Sequence, residues 1–463
     1  MHPLDHLSGL WTEARLPADA LDDAFLTGRD PVLPSSFAVG TAAQVSIAAS
    51  ALAAATLWRQ RGGRRQRVSV DMRHASMEFL SEHWVSVVGQ PPEETWDRIA
   101  GAYQCGDGRY VRLHTNFPHH RDGMLALLGC AYDRDAVAAA LKGWKAFEFE
   151  DAAAAAGLCA SAMRSFAEWD AHPHGQAVPT QPVVRITRIG DAPVRPLPPS
   201  DRPLGGVRVL DLTRVIAGPV CGRTLAAHGA DVLAIASPNL PNFPRLITDT
   251  GRGKLSADLE LRDEAGRTRL RELLRDADIF VQGYRPGALA SHGFSPQDTA
   301  RIRPGIVHVS LSAYGHVGPW AGRRGFDSLV QTSSGFNHAE AEAAGQTPPK
   351  VLPAQALDHG SGYLLAFGAL TALHRRATEG GSWLVQVSLA RTGRWIRDLG
   401  RVTNGLAAPT PTAADIQDLI EETDSGFGRL RAVRHAALLA RTPAHWSRPA
   451  APLGTDQPVW PER

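Results

Sequence analysis

The chain has 463 residues, of which 43% are apolar and 21% are charged. This composition is typical of a globular protein with a substantial core, and the length predicts about three domain-sized units. Forty-nine basic residues against 47 acidic residues leave a net charge of +2. A charge so close to neutral excludes the strongly basic surface of a general nucleic-acid-binding protein, so no nucleic-acid partner is expected.

The cysteines and the N-terminal segment indicate the compartment. None of the four cysteines forms a CxxC pair, which excludes a disulfide scaffold and a zinc ribbon; they are Cys105, Cys130, Cys159 and Cys221. Residues 1–29 carry acids throughout and no apolar signal-peptide region. The longest apolar run, Val45–Trp58, is too short to span a bilayer. The sequence therefore predicts a cytoplasmic protein with no membrane partner.

Two proline-rich stretches divide the chain. One covers Ala192–Pro203 and the other Pro409–Asp415, and such stretches favour extended linkers over packed elements. We therefore predict an N-terminal unit over 1–195, a linker over 196–205, a central unit over 206–400 and a C-terminal tail over 401–463.

The central unit alternates short apolar runs with helical patterns, which predicts a parallel sheet with crossover helices in a Rossmann-like arrangement. The predicted strands are Val207–Leu212, Val232–Ile235, Asp278–Val281 and Ile306–Leu311, and the predicted helices are Val220–His228 and Glu264–Arg275, with a turn at 217–219. The segment after the first strand lacks G-x-G-x-x-G, and no G-x-x-x-x-G-K-[ST] occurs. The usual NAD and ATP sites are therefore not supported.

Two segments of the chain echo one another. Ala54–Val70 and Leu370–Val387 each combine a small-residue helix, an arginine-rich exit, a Gly-Gly turn and a valine-rich strand. We interpret them as partial copies of one module, although a composition biased toward Ala, Arg and Gly would give a similar pattern. Aligning the helices places Asp358 opposite Ala42, so any chemistry that depends on Asp358 belongs to the second copy only.

Three segments of the sequence resemble the class III CoA-transferases, the CaiB/BaiF family. They are Gly206–Pro238, Lys254–Phe294, and the stretch that runs from Gly325–Gly335 through Asp358–Arg376. The resemblance implies an α/β fold with a Rossmann-like parallel-sheet large domain, a smaller α+β domain and a partial internal duplication. Gly101–Leu113 is similar to the family's small-domain hairpin. The N-terminal unit then looks like a truncated copy that supplies a small-domain-like segment over residues 95–190.

Asp358 is the residue on which the functional prediction depends. By itself it fits the N-cap of a helix that starts near Gly360, because a carboxylate there accepts a backbone N–H at the positive helix end. The resemblance instead assigns it as the catalytic aspartate, which forms an acyl anhydride and then a CoA thioester as covalent intermediates. The helix terminus would keep this carboxylate ionised as a nucleophile. Gly360 and Gly362 are near enough in sequence to be candidate oxyanion donors.

The resemblance also implies positions that bind coenzyme A, as the acyl-CoA substrate. They are Val215, Ile216, Ala217, Leu259, Arg262, Tyr284 and Arg285. The plain alternatives are a solvated charge for Arg262, a surface ion pair for Arg285 and a core aromatic for Tyr284. The sequence departs from the family at Ala234–Ser237 and at Ser291, where basic residues are usual.

Two other functions remain open from the sequence. An α-methylacyl-CoA racemase would carry a histidine where this chain has Phe326, so His338 or His359 would have to replace it as the second acid/base. A non-catalytic CoA-binding protein would explain the truncated copy and the missing basic positions. No metal is expected, since His119, His120, His172 and His174 lack cysteine or carboxylate partners at ligand spacing. The expected partners are an acyl-CoA and a small carboxylic acid. The resemblance implies a homodimer, and the alternative is that the two half-copies complete one module within a single chain.

Overall fold

The computed structural model describes residues 2–91 and 96–462. The strands in these residues are β1 (Ala24–Thr27), β2 (Val68–Asp71), β3 (Ser86–Val87), β4 (Gly101–Gln104), β5 (Tyr110–Leu113), β6 (Ala160–Ala162), β7 (Arg185–Gly190), β8 (Arg208–Leu212), β9 (Asp231–Ala236), β10 (Lys254–Asp258), β11 (Ile279–Gln282), β12 (Val307–Ser312), β13 (Ser382–Ser388), β14 (Ile420–Ser425), β15 (Gly428–Val433) and β16 (Ala437–Leu439).

The α-helices of the described residues are α1 (Pro3–Glu13), α2 (Val39–Gln60), α3 (Met72–Glu78), α4 (Ser81–Trp84), α5 (Pro118–Leu128), α6 (Arg134–Leu141), α7 (Ala146–Ala155), α8 (Phe166–Ala171), α9 (Pro173–Ala177), α10 (Ala217–Ala227), α11 (Pro244–Thr250), α12 (Glu264–Arg275), α13 (Pro296–Ile302), α14 (Asp327–Ser333), α15 (Phe336–Ala343), α16 (Ala356–Glu379) and α17 (Leu389–Asp398).

A seven-stranded sheet forms the centre of the molecule. Its order is β10-β9-β8-β11-β12-β13-β7, and all neighbours are parallel except β7, which is antiparallel to β13. Its strands are short and apolar, as expected of a parallel sheet whose two faces are both covered by helices. The predicted α/β fold with a Rossmann-like sheet is confirmed, with one antiparallel edge strand contributed by the segment before the proline-rich stretch.

The two longest helices, α2 and α16, are buried and pack against each other, and α16 also packs on β12 and β13 of this sheet. Each is followed by a strand and a shorter helix, so the echo in the sequence corresponds to the same order of elements, α2-β2-α3 and α16-β13-α17. By length and composition α2 could cross a bilayer, but 89% of its most apolar window is buried inside the protein. An apolar helix in the core of a globular protein has the same length, composition and burial.

The small-domain-like segment has a core of its own. Strands β4, β5 and β6 form an antiparallel sheet, and α5, α6 and α7 pack on it around Val111, Met124 and Phe149. The hairpin expected at the Asp-Gly step joins β4 to β5, and Gly108 there has a φ of +80°, a conformation that glycine adopts without steric cost.

The segment after residue 400, predicted as a tail, folds back on the N-terminal unit. Strand β16 pairs with β2, and the β14–β15 hairpin pairs with β3. Arg61, near the end of α2, donates hydrogen bonds to the carbonyls of Pro198, Pro203 and Gly205 in the proline-rich stretch. Both predicted connecting regions are therefore packed against the N-terminal unit.

The loop after β8 departs from its predicted form. Residues 217–219, predicted as a turn, are the first turn of α10. Proline is tolerated there because the first amides of a helix have no acceptor within it. Below the loop, the buried Lys254 Nζ lies 2.7 Å from Asp211 Oδ2 and 2.8 Å from the Pro219 carbonyl, which fixes the strand end to the helix start.

Candidate active site

Asp358 is the third residue of α16, and it is buried, with 7% of its surface exposed. The prediction that it caps a helix starting near Gly360 is wrong, because the helix begins at Ala356 and its N-cap is Gln355. A side chain from outside the helix caps it instead. Asp327 Oδ2 accepts hydrogen bonds from the amides of Leu357 (2.8 Å) and Asp358 (2.9 Å), so the Asp358 carboxyl is left for other contacts.

The first long helix, α2, is capped in a similar way. Asp30 Oδ2 accepts a hydrogen bond from the amide of Thr41 in the first turn of α2, at 2.8 Å. Thr41 and Leu357 are related by the same offset that relates Ala42 to Asp358. Both long helices are thus capped by an upstream aspartate, and only the second carries a carboxyl at the next position, as the alignment of the two copies predicts.

Two other carboxyl groups, those of Asp327 and Glu82, lie near that of Asp358. Burial, the Asp327 carboxyl and the Glu82 carboxyl together raise the pKa of Asp358 well above its usual value. Burial also raises the pKa of Asp327, to about 6, although hydrogen bonds from Asp358 and Gln331 act in the opposite direction. The sequence suggested that the helix terminus would keep Asp358 ionised. That expectation is wrong, because burial and like charges outweigh the helix end.

Glu82 reaches this cluster from the N-terminal unit and is itself ionised. Burial alone would raise its pKa, but His359, whose Nε2 lies 2.8 Å from Glu82 Oε2, brings that pKa below the usual value. Glu82 Oε1 is buried without a hydrogen-bond partner. The Glu82 carboxylate therefore places a negative charge beside Asp358.

Asp358 lies where two cavities meet. The first, here called the basic cavity, has a volume of about 350 Å³ and is lined by four arginines: Arg214, Arg285, Arg323 and Arg324. The second, here called the aromatic cavity, has a volume of about 210 Å³ and is lined by Trp96, His114, Phe243 and Phe326. Asp358, Val215, Ile216 and Phe326 line both. A ligand that extends from one cavity into the other would pass the carboxyl group.

Five of the predicted CoA positions line the basic cavity: Val215, Ile216, Ala217, Tyr284 and Arg285. Val215 has a φ of +72°, which is sterically unfavourable for a β-branched residue and characteristic of functional loops. Arg285 is exposed, with no ion pair among the described residues.

The remaining two predicted CoA positions line a third cavity, here called the outer cavity, of about 200 Å³. Leu259 and Arg262 lie there, and Tyr284 lines both the outer and the basic cavity, which makes the two neighbours. The Arg262 guanidinium is exposed and paired with Glu260 at 2.7 Å. It would have to exchange this partner to contact a phosphate.

Gly360 and Gly362 do not fit the role of oxyanion donors. Both lie inside α16, where each amide is used by the helical hydrogen-bond ladder. Gly362 instead allows α10 to approach, because a Cβ built on it would lie 2.6 Å from the Ala217 carbonyl oxygen. Gly362 therefore serves the packing of two helices, and neither glycine amide is available to an oxyanion.

Several residues of the site were not found from the sequence. Glu82, Trp96, His114 and Phe243 come from segments that carry no motif, and only the fold brings them to Asp358. The two histidines considered for a racemase, His338 and His359, are absent from the described lining of either cavity. Among the described residues, no group of three His, Cys, Asp or Glu side chains could hold a metal ion.

Comparisons with known proteins identify the family. The acyl-CoA transferase of Gibberella moniliformis is 27% identical over 426 residues, 81% of this chain and 74% of that protein. Acetyl-coenzyme A transferase nodX of Hypoxylon pulicicidum is 34% identical over 250 residues, and the match covers 51% of this chain but only 42% of that protein. The crystal structure of Rv3272 from Mycobacterium tuberculosis matches with 32% identity and a TM-score of 0.39, over 43% of this chain and 57% of that chain.

The chain thus spans less than half the length of one curated relative and about three quarters of another. The profile described as CoA-transferase family III matches residues 24–194 and 204–457. These two ranges include both the N-terminal and the central unit, and the resemblance noted in the sequence is confirmed. The chain belongs to CoA-transferase family III.

Proposed function

We propose that this protein is a CoA-transferase that moves CoA from an acyl-CoA donor to a carboxylic acid acceptor through Asp358. One observation carries the proposal: the Asp358 carboxyl is buried at the junction of a cavity lined by arginines and a cavity lined by aromatic rings. The basic cavity suits the phosphates of CoA, and the aromatic cavity suits the acyl group. Relatives named acyl-CoA transferase and acetyl-coenzyme A transferase support the assignment.

The reaction needs only this carboxylate and the two substrates. Ionised Asp358 attacks the thioester carbonyl, forming a mixed anhydride and expelling the CoA thiolate. The thiolate attacks the aspartyl carbonyl, which gives an aspartyl-CoA thioester and releases the donor acid. The acceptor carboxylate attacks that thioester to form a new anhydride and thiolate. The thiolate then attacks the acceptor acyl carbon, producing the new acyl-CoA and free Asp358.

The surroundings of Asp358 fit these steps. No hydrogen bond to its carboxyl oxygens is found among the described residues, and a carboxylate with few hydrogen bonds is the more nucleophilic once ionised. Each step also develops an oxyanion. The first amides of α10, at Ala217 and Gly218, have no acceptor inside that helix, and Ala217 lines the basic cavity. We assign these amides the oxyanion role in place of Gly360 and Gly362.

The predicted CoA positions can be ordered along the cavities. Arg262 and Leu259 lie in the outer cavity, Tyr284 joins it to the basic cavity, and Val215 lies beside Asp358. This order suits the adenosine in the outer cavity, the phosphates in the basic cavity and a pantetheine arm that leads to the carboxyl group. The N-terminal unit supplies Glu82 and the central unit supplies Asp358, so both units of one chain line the site. The cytoplasmic location and the homodimer stay predictions.

Transfer of CoA between two acids tests the proposal directly. The wild-type protein should exchange CoA between labelled acids, and Asp358→Asn should abolish the exchange while a surface control, Asp191→Asn, leaves it unchanged; the Asp191 side chain is 99% exposed. Deuterium incorporation at the α-carbon without exchange would favour the racemase. CoA binding without turnover of any acid would favour a non-catalytic CoA-binding protein.

A further inference from the structure

We propose that the aromatic cavity selects the acyl group, and that the preferred acids are monocarboxylic acids with an aromatic or compact apolar tail. Acetate-sized acids and dicarboxylic acids would be poorer acceptors. This inference rests on the proposed function, because it names the substrate class of the same site.

The wall of the cavity is a continuous run of rings. His114 stacks on Phe326 with 3.8 Å between ring centroids, and Trp96 meets the edge of His114 at 5.7 Å. The Phe117 ring lies behind this wall, and its centroid is 5.9 Å from that of Phe326 and 4.8 Å from that of Phe243. Rings pack on one another in such offset and edge-on arrangements, so a further ring from a ligand would find faces and edges to contact.

The volume suits a ring with a short chain. A closed apolar cavity of about 150 Å³ is enough to hold benzene, and the aromatic cavity has about 210 Å³. An acetyl group would leave most of this space unfilled. Since one methylene in an apolar pocket changes selectivity by about 10- to 200-fold, the unfilled space translates into a large preference for the longer acid.

The charges of the cavity disfavour a second carboxylate. Glu82, Asp327 and Asp358 all line it, and Glu82 is held ionised by His359. Arg245 also lines it, but its guanidinium donates to the backbone carbonyls of Glu82 (3.1 Å) and His83 (3.3 Å). Burial lowers the pKa of His114 to about 3, so the ring wall is neutral. A distal carboxylate would therefore lie close to the Glu82 carboxylate, while the guanidinium that lines the cavity among the described residues is already engaged by backbone carbonyls.

A panel of acceptor acids tests the substrate class. With one acyl-CoA donor, kcat/KM is measured for phenylacetate, 3-phenylpropionate, acetate, succinate and glutarate. We expect the two aryl acids to exceed acetate and both dicarboxylates by at least about 10-fold. Equal rates, or a preference for succinate or glutarate, would overturn this inference and leave the proposed function intact. Transfer to none of the acids, across several donors, would overturn the proposed function itself.

A variant of the wall tests whether these rings set the preference. Phe243→Ala should lower the ratio of kcat/KM for phenylacetate over acetate by about 10-fold, and Phe243→Leu, which keeps most of the apolar volume, should lower it less. Phe25→Ala is the matched control, because Phe25 is 40% exposed on β1 and contacts Arg67. A ratio that is the same in Phe243→Ala and Phe25→Ala would contradict the role of the aromatic cavity.

Discussion

Replacing Asp358 with asparagine should make the protein more stable while it removes the proposed nucleophile. The carboxyl is buried and close to Asp327 and Glu82, so its pKa is raised in the folded state. A group with a raised folded pKa stabilises the protein below its unfolded pKa, and that contribution is lost as the pH rises through the folded pKa. Above the unfolded pKa, folding of the wild-type protein therefore costs free energy, either to protonate this carboxyl or to bury its charge, and asparagine does not incur that cost.

The magnitude can be worked from the neighbouring carboxyl. Asp327 titrates at about 6 in the folded protein, against about 3.9 for an unfolded aspartate. This difference of about two pH units corresponds to about 3 kcal/mol. Asp327 accepts hydrogen bonds from two amides and Gln331, whereas the Asp358 carboxyl has none among the described residues. The gain from Asp358→Asn should therefore be on the order of 1–3 kcal/mol above pH 8, the usual cost of burying a polar group that has no hydrogen-bond partner.

Thermal unfolding at several pH values is the assay. At pH 8 the Asp358→Asn protein should melt a few degrees above the wild type, and the difference should vanish below about pH 4, where the carboxyl is protonated in both the folded and the unfolded state. Asp191→Asn serves as the exposed control and should leave the melting temperature unchanged at every pH. A variant that is no more stable than the wild type at pH 8 would refute the argument that burial and like charges raise the pKa of Asp358.

Three further predictions follow from the same contacts. Because the Glu82 carboxyl raises the pKa of Asp358, Glu82→Gln should move the acidic limb of the pH profile of CoA transfer to lower pH; an unchanged or upward-shifted limb would contradict the charge coupling. Arg285→Ala should raise the KM for an acyl-CoA by about 5- to 10-fold, with no change for the matching pantetheine thioester, which lacks the phosphates; equal effects on both donors would exclude a phosphate contact. Gly362→Ala should lower the melting temperature through an overpacking cost of about 1–3 kcal/mol, since its methyl group would meet the Ala217 carbonyl oxygen at 2.6 Å; a wild-type melting temperature would show that the helices can separate.

The sequence predicted four neighbouring strands of the sheet well, because their signals are local, but it did not predict the edge strands β7 and β10. Helix α12 has the predicted bounds, Glu264–Arg275, and the four predicted strands of the central unit lie within one residue of the observed ones. Short apolar runs between turns determine these elements. The start of α16 was missed because its cap is supplied by Asp327, far upstream in the chain. No local pattern around Asp358 reports such a contact.

The site was predictable only in part, for a similar reason. Asp358 and the loop at Val215 could be found because the resemblance covers their own segments. Glu82 could not, since its contact with His359 joins residues 277 positions apart. The charge state of Asp358 was also out of reach, because it depends on burial and on two carboxyls that only the fold brings close.

Trapping of the covalent intermediate tests the central claim most directly. The protein is incubated with an acyl-CoA and hydroxylamine, digested, and analysed by mass spectrometry. The account predicts a hydroxamate on the peptide that contains Asp358, formed only when acyl-CoA is present and absent from Asp358→Asn. CoA transfer between acids that proceeds with no modification of Asp358, or with a hydroxamate on a different carboxyl, would contradict it.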